Sequence, residues 1–381
     1  MWWPGRRLNQ LSGTLPHNIR PGFIVKKVCV VLSMHQILIV LAVLKQKNLG
    51  PEYFDCILLR EGAHYPEIIY SIFTRANFFI VNKLKRSDIF GRAREIKSLA
   101  EAAIRQFDMK DIELWLPNET YHMSNLVFSR ANIKKTIAFE DGMGSYIDSG
   151  LLEWRSGIRT VMKKMIALMA FFPAYRSLYG VSHIHADEYW ALSNKALFSK
   201  KINVIPAESY KQGMDHLLTI VPKDFYSNLS LDNGTCLVVI VGQPLSEGGL
   251  CSPEESINKF VSMGSKFFSN KLAKKEQMKF IYVSHPAEER SLSAKRLDGF
   301  MSASEYTADY CLYENKLSLD ILLAYLARRS EGLILVGASS TSLYAAKISG
   351  LCNDVYYFAD GYGRISSQLK NVFSDFGVVS L

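Results

Sequence analysis

Short apolar runs and amphipathic stretches alternate along most of the 381-residue chain. Residues 27–32 read as a buried strand, residue 33 as a turn, and residues 35–47 as a buried helix. Residues 54–59 and 78–82 predict two more strands. Residues 87–107 carry apolar side chains at Phe90, Ala93, Ile96, Leu99, Ala100, Ala103, Ile104 and Phe107, the period of an amphipathic helix. Strands at 113–117 and 135–139 complete a first set. Residues 221–235 are rich in turn formers and read as a linker. The alternation then restarts, with strands at 236–241, 279–283, 332–336 and 354–358 and helices at 256–271, 318–328 and 342–349. Such alternation predicts parallel sheets with helices on both faces. The expected fold class is α/β, two doubly wound domains with a cleft between them. The expected divisions are an extension at 1–25, a first domain at 26–225, a second at 235–362, and a tail or helix at 363–381.

Composition narrows the partners. Hydrophobic residues make up 48% and charged residues 21%, which excludes a largely disordered chain. Forty-five Lys+Arg against 36 Asp+Glu give a formal charge of +9. That excess favours an anionic partner: a phosphorylated small molecule, an acidic glycan, nucleic acid or a membrane surface. No nucleic-acid-binding motif accompanies the charge, so nucleic acid is not supported. The six cysteines form no C-x-x-C pair, and Cys29, Cys56 and Cys236 lie inside apolar runs as small core residues. Residues 1–23 are basic and lack the apolar stretch of a signal peptide. Residues 25–44 suggest a membrane span, but Lys26, Lys27, Ser33, His35 and Gln36 interrupt them. The clean part, Ile37 to Leu44, falls short of the ~20 residues a span needs. Residues 165–175 are broken by Pro173 and preceded by Arg155, Arg159, Lys163 and Lys164. They read either as a core helix with a solvated basic start or as a helix lying on an anionic bilayer. The expectation is a cytoplasmic protein, with 155–175 as the segment that would dock it peripherally on the inner membrane.

Four apolar runs end in polar or glycine clusters: Glu140-Asp141-Gly142, Gly242-Gln243-Pro244, Ser284-His285-Pro286 and Gly337-Ala338-Ser339-Ser340. Ligands of open α/β sheets bind outside the carboxyl ends of strands, so these tips are expected to converge on the cleft. Glu140 or Asp141 can act as a general base, or the pair can form a helix cap or a charged turn. Gly142 and Gly144 permit tight turns and close ligand approach. Pro286 holds His285 extended and aims it out of the strand end. Ser339 and Ser340, ahead of a helix, either form an anion site with the helix N–H groups or simply cap it. Together the clusters supply a base, an acid or phosphate donor, and a phosphate cradle. His183 and His185, followed by Asp187 and Glu188, look like a metal cluster, but no further ligands are signalled. Glu314 and Asp320 are candidates to meet a ribose or a base.

These motifs, in this order and each after a strand, resemble those of the bacterial GT-B sialyltransferases over residues 26–360. Both the lipooligosaccharide sialyltransferases and the capsular polysialyltransferases are similar. Those families carry an acidic-acidic-Gly motif in the N-terminal domain, then His-Pro and Ser-Ser/Thr motifs in the C-terminal domain. The matches are Glu140-Asp141-Gly142, His285-Pro286 and Ser339-Ser340. The resemblance implies a GT-B fold, two Rossmann-like domains facing across a cleft. It implies transfer of sialic acid from CMP-sialic acid to a hydroxyl of a lipooligosaccharide or capsular polysaccharide. Glu140, with Asp141 a close second, would deprotonate the acceptor. His285 would stabilise or protonate the departing phosphate, and Ser339 and Ser340 would hydrogen-bond it. Gly242 would let the backbone approach the nucleotide, with Pro286 and Gly142 also on the donor side. The residue types suit that chemistry. A phosphate leaving group needs only modest donors, and a sugar hydroxyl gains from a positioned carboxylate. One base and direct displacement imply inversion at the anomeric carbon. No Asp-x-Asp occurs, so no cofactor and no metal are expected. Arg290 and Lys295 are candidates for anion contacts. The rival expectations are a GT-B transferase using CMP-Kdo or a UDP-hexose, and a non-catalytic GT-B-like glycan-binding protein.

Overall fold

The computed structural model describes residues 25–60, 66–81, 94, 98, 101–106, 111–118, 124, 127, 131–142, 145–146, 165, 186–198, 201–222, 225–226, 229, 235–247, 251–269, 278–285, 287–304, 309–313, 318–338, 340–358 and 364–381. The first half contains β1 (Lys26–Val31), α1 (Met34–Gln46), β2 (Cys56–Arg60), α2 (Pro66–Ile72), β3 (Asn77–Val81), β4 (Asp111–Leu116), β5 (Asn132–Phe139), β6 (Glu188–Ala191), β7 (Ile202–Val204) and α3 (Ala207–Ile220). Its seven strands form one parallel sheet in the order β3-β2-β1-β4-β5-β6-β7. The second half contains β8 (Cys236–Val241), α4 (Pro253–Ser269), β9 (Met278–Val283), α5 (Arg290–Met301), β10 (Asp309–Tyr313) and α6 (Leu319–Ala327). It continues with β11 (Gly332–Gly337), α7 (Thr341–Ile348), β12 (Asp354–Tyr357), α8 (Arg364–Asp375) and β13 (Val379–Ser380). Six parallel strands run in the order β10-β9-β8-β11-β12-β13.

Both sheets start at an inner strand, wind out to one edge and then return to the other side. The strand order therefore reverses between β1 and β4 and again between β8 and β11. At such reversals the flanking helices diverge and leave a crevice beyond the strand ends, where ligands of this architecture bind.

The first apolar run among the described residues becomes β1 and α1. Ser33 stops the strand and caps the helix, its hydroxyl accepting from Gln36 N at 3.3 Å. Every residue from Met34 to Leu44 is buried, because α1 lies between the sheet and α3. Each large apolar side chain buried there contributes about 1.5–3 kcal/mol. Helix α3 buries Tyr210, Met214 and Leu217 and packs on both α1 and α6. It thereby joins the halves, and one hydrophobic cluster runs from Leu38 through Met214 to Leu322 and Tyr344. No helix among the described residues is long and apolar enough to cross a membrane.

The strands expected at 27–32, 54–59, 78–82, 113–117, 135–139, 236–241, 279–283, 332–336 and 354–358 all form. The pattern did not predict β6, β7, β10 or β13, nor α2, α3 and α5 as helices, and α8 is the helix of the tail or helix expected at 363–381. Residues 1–24, residues 155–175 apart from Met165, and His183 and His185 lie outside the described residues, as do Glu314 and most of the expected helix at 87–107.

Candidate active site

The acidic motif sits where β5 leaves the sheet. Glu140 N donates to Trp190 O at 2.9 Å, so the residue still belongs to the parallel ladder with β6. Its side chain has no exposed surface. Oε2 accepts from Tyr146 OH at 2.5 Å and from Leu192 N at 2.7 Å. Oε1 accepts from Tyr344 OH and lies 3.4 Å from His35 Nε2. A buried carboxylate needs such partners, since leaving it unpaired would be costly. His35 is buried in the first turn of α1, with Nδ1 2.9 Å from Tyr210 OH. Burial by itself lowers the pKa of His35. Hydrogen bonding to Glu140 and the charges of Asp320, Glu140 and Asp141 outweigh it and hold the imidazole above its ordinary value. Burial and the charge of Glu140 push the Tyr146 and Tyr344 phenols up, so both remain donors.

Asp141, the second acid, is half-buried. Its Oδ1 accepts from Gln36 Nε2 at 2.6 Å, while Gln36 Oε1 accepts from Leu32 N at 2.6 Å. One amide thus ties the end of β1 to the end of β5. Asp141 N donates to Ser145 Oγ at 2.9 Å, closing the turn that Gly142 permits. Gly142 has φ +92°, and a Cβ there would meet Thr341 Oγ1 at 2.6 Å. Both the backbone conformation and the contact require glycine.

The other three polar clusters leave adjacent strands β9, β8 and β11. His285 is exposed beyond β9. Its Nδ1 accepts from Ala287 N at 3.1 Å, which places the proton of the neutral ring on Nε2. Beneath it lies the fully buried pair Glu288–Arg296, 2.6 Å apart. Glu288 accepts from His285 N at 2.8 Å and from Gln243 N at 2.9 Å, so one carboxylate fixes two loops. Arg296 also holds Glu247 at 2.9 Å and donates to Ser256 Oγ at 2.7 Å. Burial pushes Glu288 up, partly offset by the His285 amide and Arg296. Burial also acts upward on Glu247, but Arg296 holds that carboxylate down at about 2. Gly242 packs its α-carbon against Glu288 and against Val283 O, leaving no room for a side chain. This close packing of the two loops is a reason for glycine at that turn besides access for a ligand. Ser340 caps α7, accepting from Ser342 N at 3.3 Å. Gly242 and Ser340 therefore flank the β8/β11 reversal.

The sheets face each other through these edges. Glu140 meets Tyr344, and Gly142 meets Thr341, so the acidic motif of the first half abuts the helix capped by Ser340 in the second. Pro286 and Ser339 lie outside the described residues. Arg290 and Lys295, the cations expected as anion contacts, are exposed on α5. Asp320 is buried at the start of α6, within electrostatic reach of His35 and Tyr210. Sequence reasoning did not assign His35, Gln36, Tyr146, Tyr210, Tyr344, Glu288 or Arg296 to the site. Its available signal was the polar interruption at 33, 35 and 36. Among the described residues no group of three or more His, Cys, Asp or Glu is placed to hold a metal.

Two parallel, doubly wound sheets facing across strand ends define a GT-B-like fold, and solved structures agree. UDP-GlcNAc 2-epimerase from Neisseria meningitidis, bound to UDP-GlcNAc, is 13% identical, with a TM-score of 0.51 over 92% of this chain and 91% of that one. UDP-GlcNAc 2-epimerase from Methanocaldococcus jannaschii is 12% identical, with a TM-score of 0.51 over 91% of this chain and 92% of that one. At those identities the likeness concerns fold alone. A sequence profile of the alpha-2,8-polysialyltransferases matches residues 27–352, and the chain belongs to that family of bacterial sialyltransferases. No curated protein sequence matches it. The family makes the chain a glycosyltransferase, with a nucleotide-sugar donor and a glycan acceptor.

Proposed function

We propose that the chain transfers sialic acid from CMP-sialic acid to a hydroxyl of a bacterial surface glycan, with inversion and without a metal ion. The observation that carries this reading is the meeting of Glu140 and Gly142 with Tyr344 and Thr341. It sets the acidic motif against the helix that Ser340 caps, and this reading takes Ser340 to hold the donor phosphate.

In this reading Glu140 removes the acceptor proton as the hydroxyl oxygen bonds to the anomeric carbon. The bond from that carbon to the phosphate oxygen breaks, and its electron pair leaves with CMP. His285 donates Nε2–H to the departing phosphate. Ser339, Ser340 and the N–H groups opening α7 bind the same anion. Pro286 keeps His285 extended, and Gly242 lies in the neighbouring donor loop. Asp141, held by Gln36, orients the acceptor from its half-buried place. Neutral donors suffice because a phosphate leaves readily.

The test is CMP release from CMP-sialic acid with EDTA present, against galactoside and sialoside acceptors, beside CMP-Kdo and UDP-hexose donors. Acceptor-dependent release from CMP-sialic acid alone supports the reading. Turnover of another donor instead, or a requirement for a metal, contradicts it.

A further inference from the structure

The four partners of the Glu140 carboxylate do not come from one place. Tyr146, the Leu192 amide and His35 belong to the same half of the molecule as Glu140 itself. Tyr344 comes from the other half, on α7, one turn after the Ser340 cap. A general base must lie within hydrogen-bond reach of the proton it abstracts. On Oε1 that position is filled by a hydroxyl, and the hydroxyl belongs to the protein. Solvent is near: a cavity of about 260 Å³ is lined by Tyr146, Lys195, Leu197, Asn371, Asp375 and Phe376. Tyr146 and Phe376 belong to both the cavity wall and the cluster around Glu140. Phe376 stacks on Tyr344 at 4.9 Å and meets Tyr146 edge-on at 5.0 Å.

We infer that Tyr344 gates the base. With no acceptor bound, its hydroxyl holds the acceptor's place on Glu140 and keeps water from taking it. An acceptor hydroxyl displaces it and water does not, so Tyr344 decides between sugar transfer and donor hydrolysis. Hydrolysis is the same displacement with a different nucleophile. The water oxygen bonds to the anomeric carbon, its proton passes to Glu140, and the bond to the phosphate oxygen breaks with its pair leaving on the nucleotide. This inference rests on Glu140 being the base. Tyr344 acts through Glu140 and does not touch the reacting atoms while it holds that place.

The variant Tyr344→Phe keeps the stack on Phe376 and the edge contact with Tyr146, and removes only the hydroxyl. Tyr146→Phe removes the hydroxyl on the other oxygen, which no domain contact supplies, and serves as the control. A hydrogen bond to a charged group contributes enough that its loss shifts a two-state equilibrium about tenfold or more. The ratio of acceptor-independent to acceptor-dependent nucleotide release is therefore expected to rise about tenfold in Tyr344→Phe, with a lower acceptor KM, and to stay put in Tyr146→Phe. An unchanged ratio in Tyr344→Phe, or an equal rise in both variants, overturns the gate.

Amide exchange in the full chain, without any donor, gives a second readout. Leu192 N–H, which donates to Glu140, should exchange several-fold faster in Tyr344→Phe while β8 is unaffected. An unchanged Leu192 rate also overturns the gate. Failure of the underlying reading looks different, because Glu140→Gln would then retain transfer.

Discussion

Two buried glutamates, one beneath each strand edge, are held in opposite ways. Glu288 is paired with the guanidinium of Arg296 at 2.6 Å and also receives the amides of two loops from its own half of the molecule. Glu140 receives two phenols and one amide, and its nearest cation is an imidazole 3.4 Å away. An arginine stays charged at any working pH, so Glu288 is neutralised for good and serves as a fixed anchor. Hydroxyls stabilise a carboxylate without cancelling its charge, and a histidine can gain or lose its own. One of those hydroxyls also comes from the facing half. The anchor is therefore built to stay, and the acid is built to exchange partners.

The comparison can be broken most sharply at its exposed end. His285→Ala removes the donor expected to face the leaving phosphate while Glu288 and Arg296 stay in place. Activity is expected to fall by about 100-fold or more, with an unchanged melting temperature. Full activity would remove His285 from the mechanism. Next comes the anchor itself. Arg296→Met strands Glu288 in a buried site, and breaking such a pair costs about 3–5 kcal/mol. Chemical denaturation should register that loss, and a change under about 1 kcal/mol would mean the pair is not an anchor.

A smaller effect tests the contact between the halves. Gly142→Ala must place a Cβ against Thr341 at positive φ, and should cost about 1–3 kcal/mol. Thr341→Ala removes both Oγ1 and the methyl and is expected to recover part of it. No recovery would mean that the backbone conformation alone sets the cost.

The smallest effect is a pH dependence. His35 faces Glu140 and Asp141 beyond β5, Tyr210 on α3, Asp320 on α6 and Tyr344 on α7. Its pKa is held above the ordinary value, so the folded state binds the proton more tightly than the unfolded chain. The stability it adds is complete below about pH 6.5 and is lost as pH rises through the folded value. The melting-temperature gap between wild type and His35→Gln is thus expected to narrow from about pH 6 to about pH 9. A constant gap would show that His35 does not titrate there.

Much of this arrangement was legible in the sequence, for reasons the structure makes plain. Strands β1, β8, β9 and β11 are flanked on both sides within their sheets, and read as continuous apolar runs. Their polar ends stood out against that background, which is how Gly242, His285 and Ser340 surfaced. The strands that escaped notice, β6, β7, β10 and β13, lie at a sheet edge or next to one. There short segments such as Ile202–Val204 need no apolar run, and Val204 and Val379 are exposed. The partners of Glu140 escaped for another reason. Tyr210 and Tyr344 occupy helix positions where an aromatic reads as core; the Tyr344 hydroxyl finds Glu140, and that of Tyr210 finds His35, only when distant segments pack together. Glu288, just ahead of α5, and Arg296, in the middle of it, look like ordinary surface charges. Their burial depends on the loop of Gly242 closing over them.

The central claim is that Glu140 and not its neighbour takes the acceptor proton. The measurement is acceptor-dependent CMP release by Glu140→Gln and by Asp141→Asn, each checked for an unchanged fold. Both changes keep the shape while removing the base, and each replaces one acceptor oxygen by an N–H donor. The account predicts a loss of about 100-fold or more in Glu140→Gln and about tenfold or less in Asp141→Asn. The reverse order would assign the base to Asp141 and leave Glu140 as a buried structural link between the two halves.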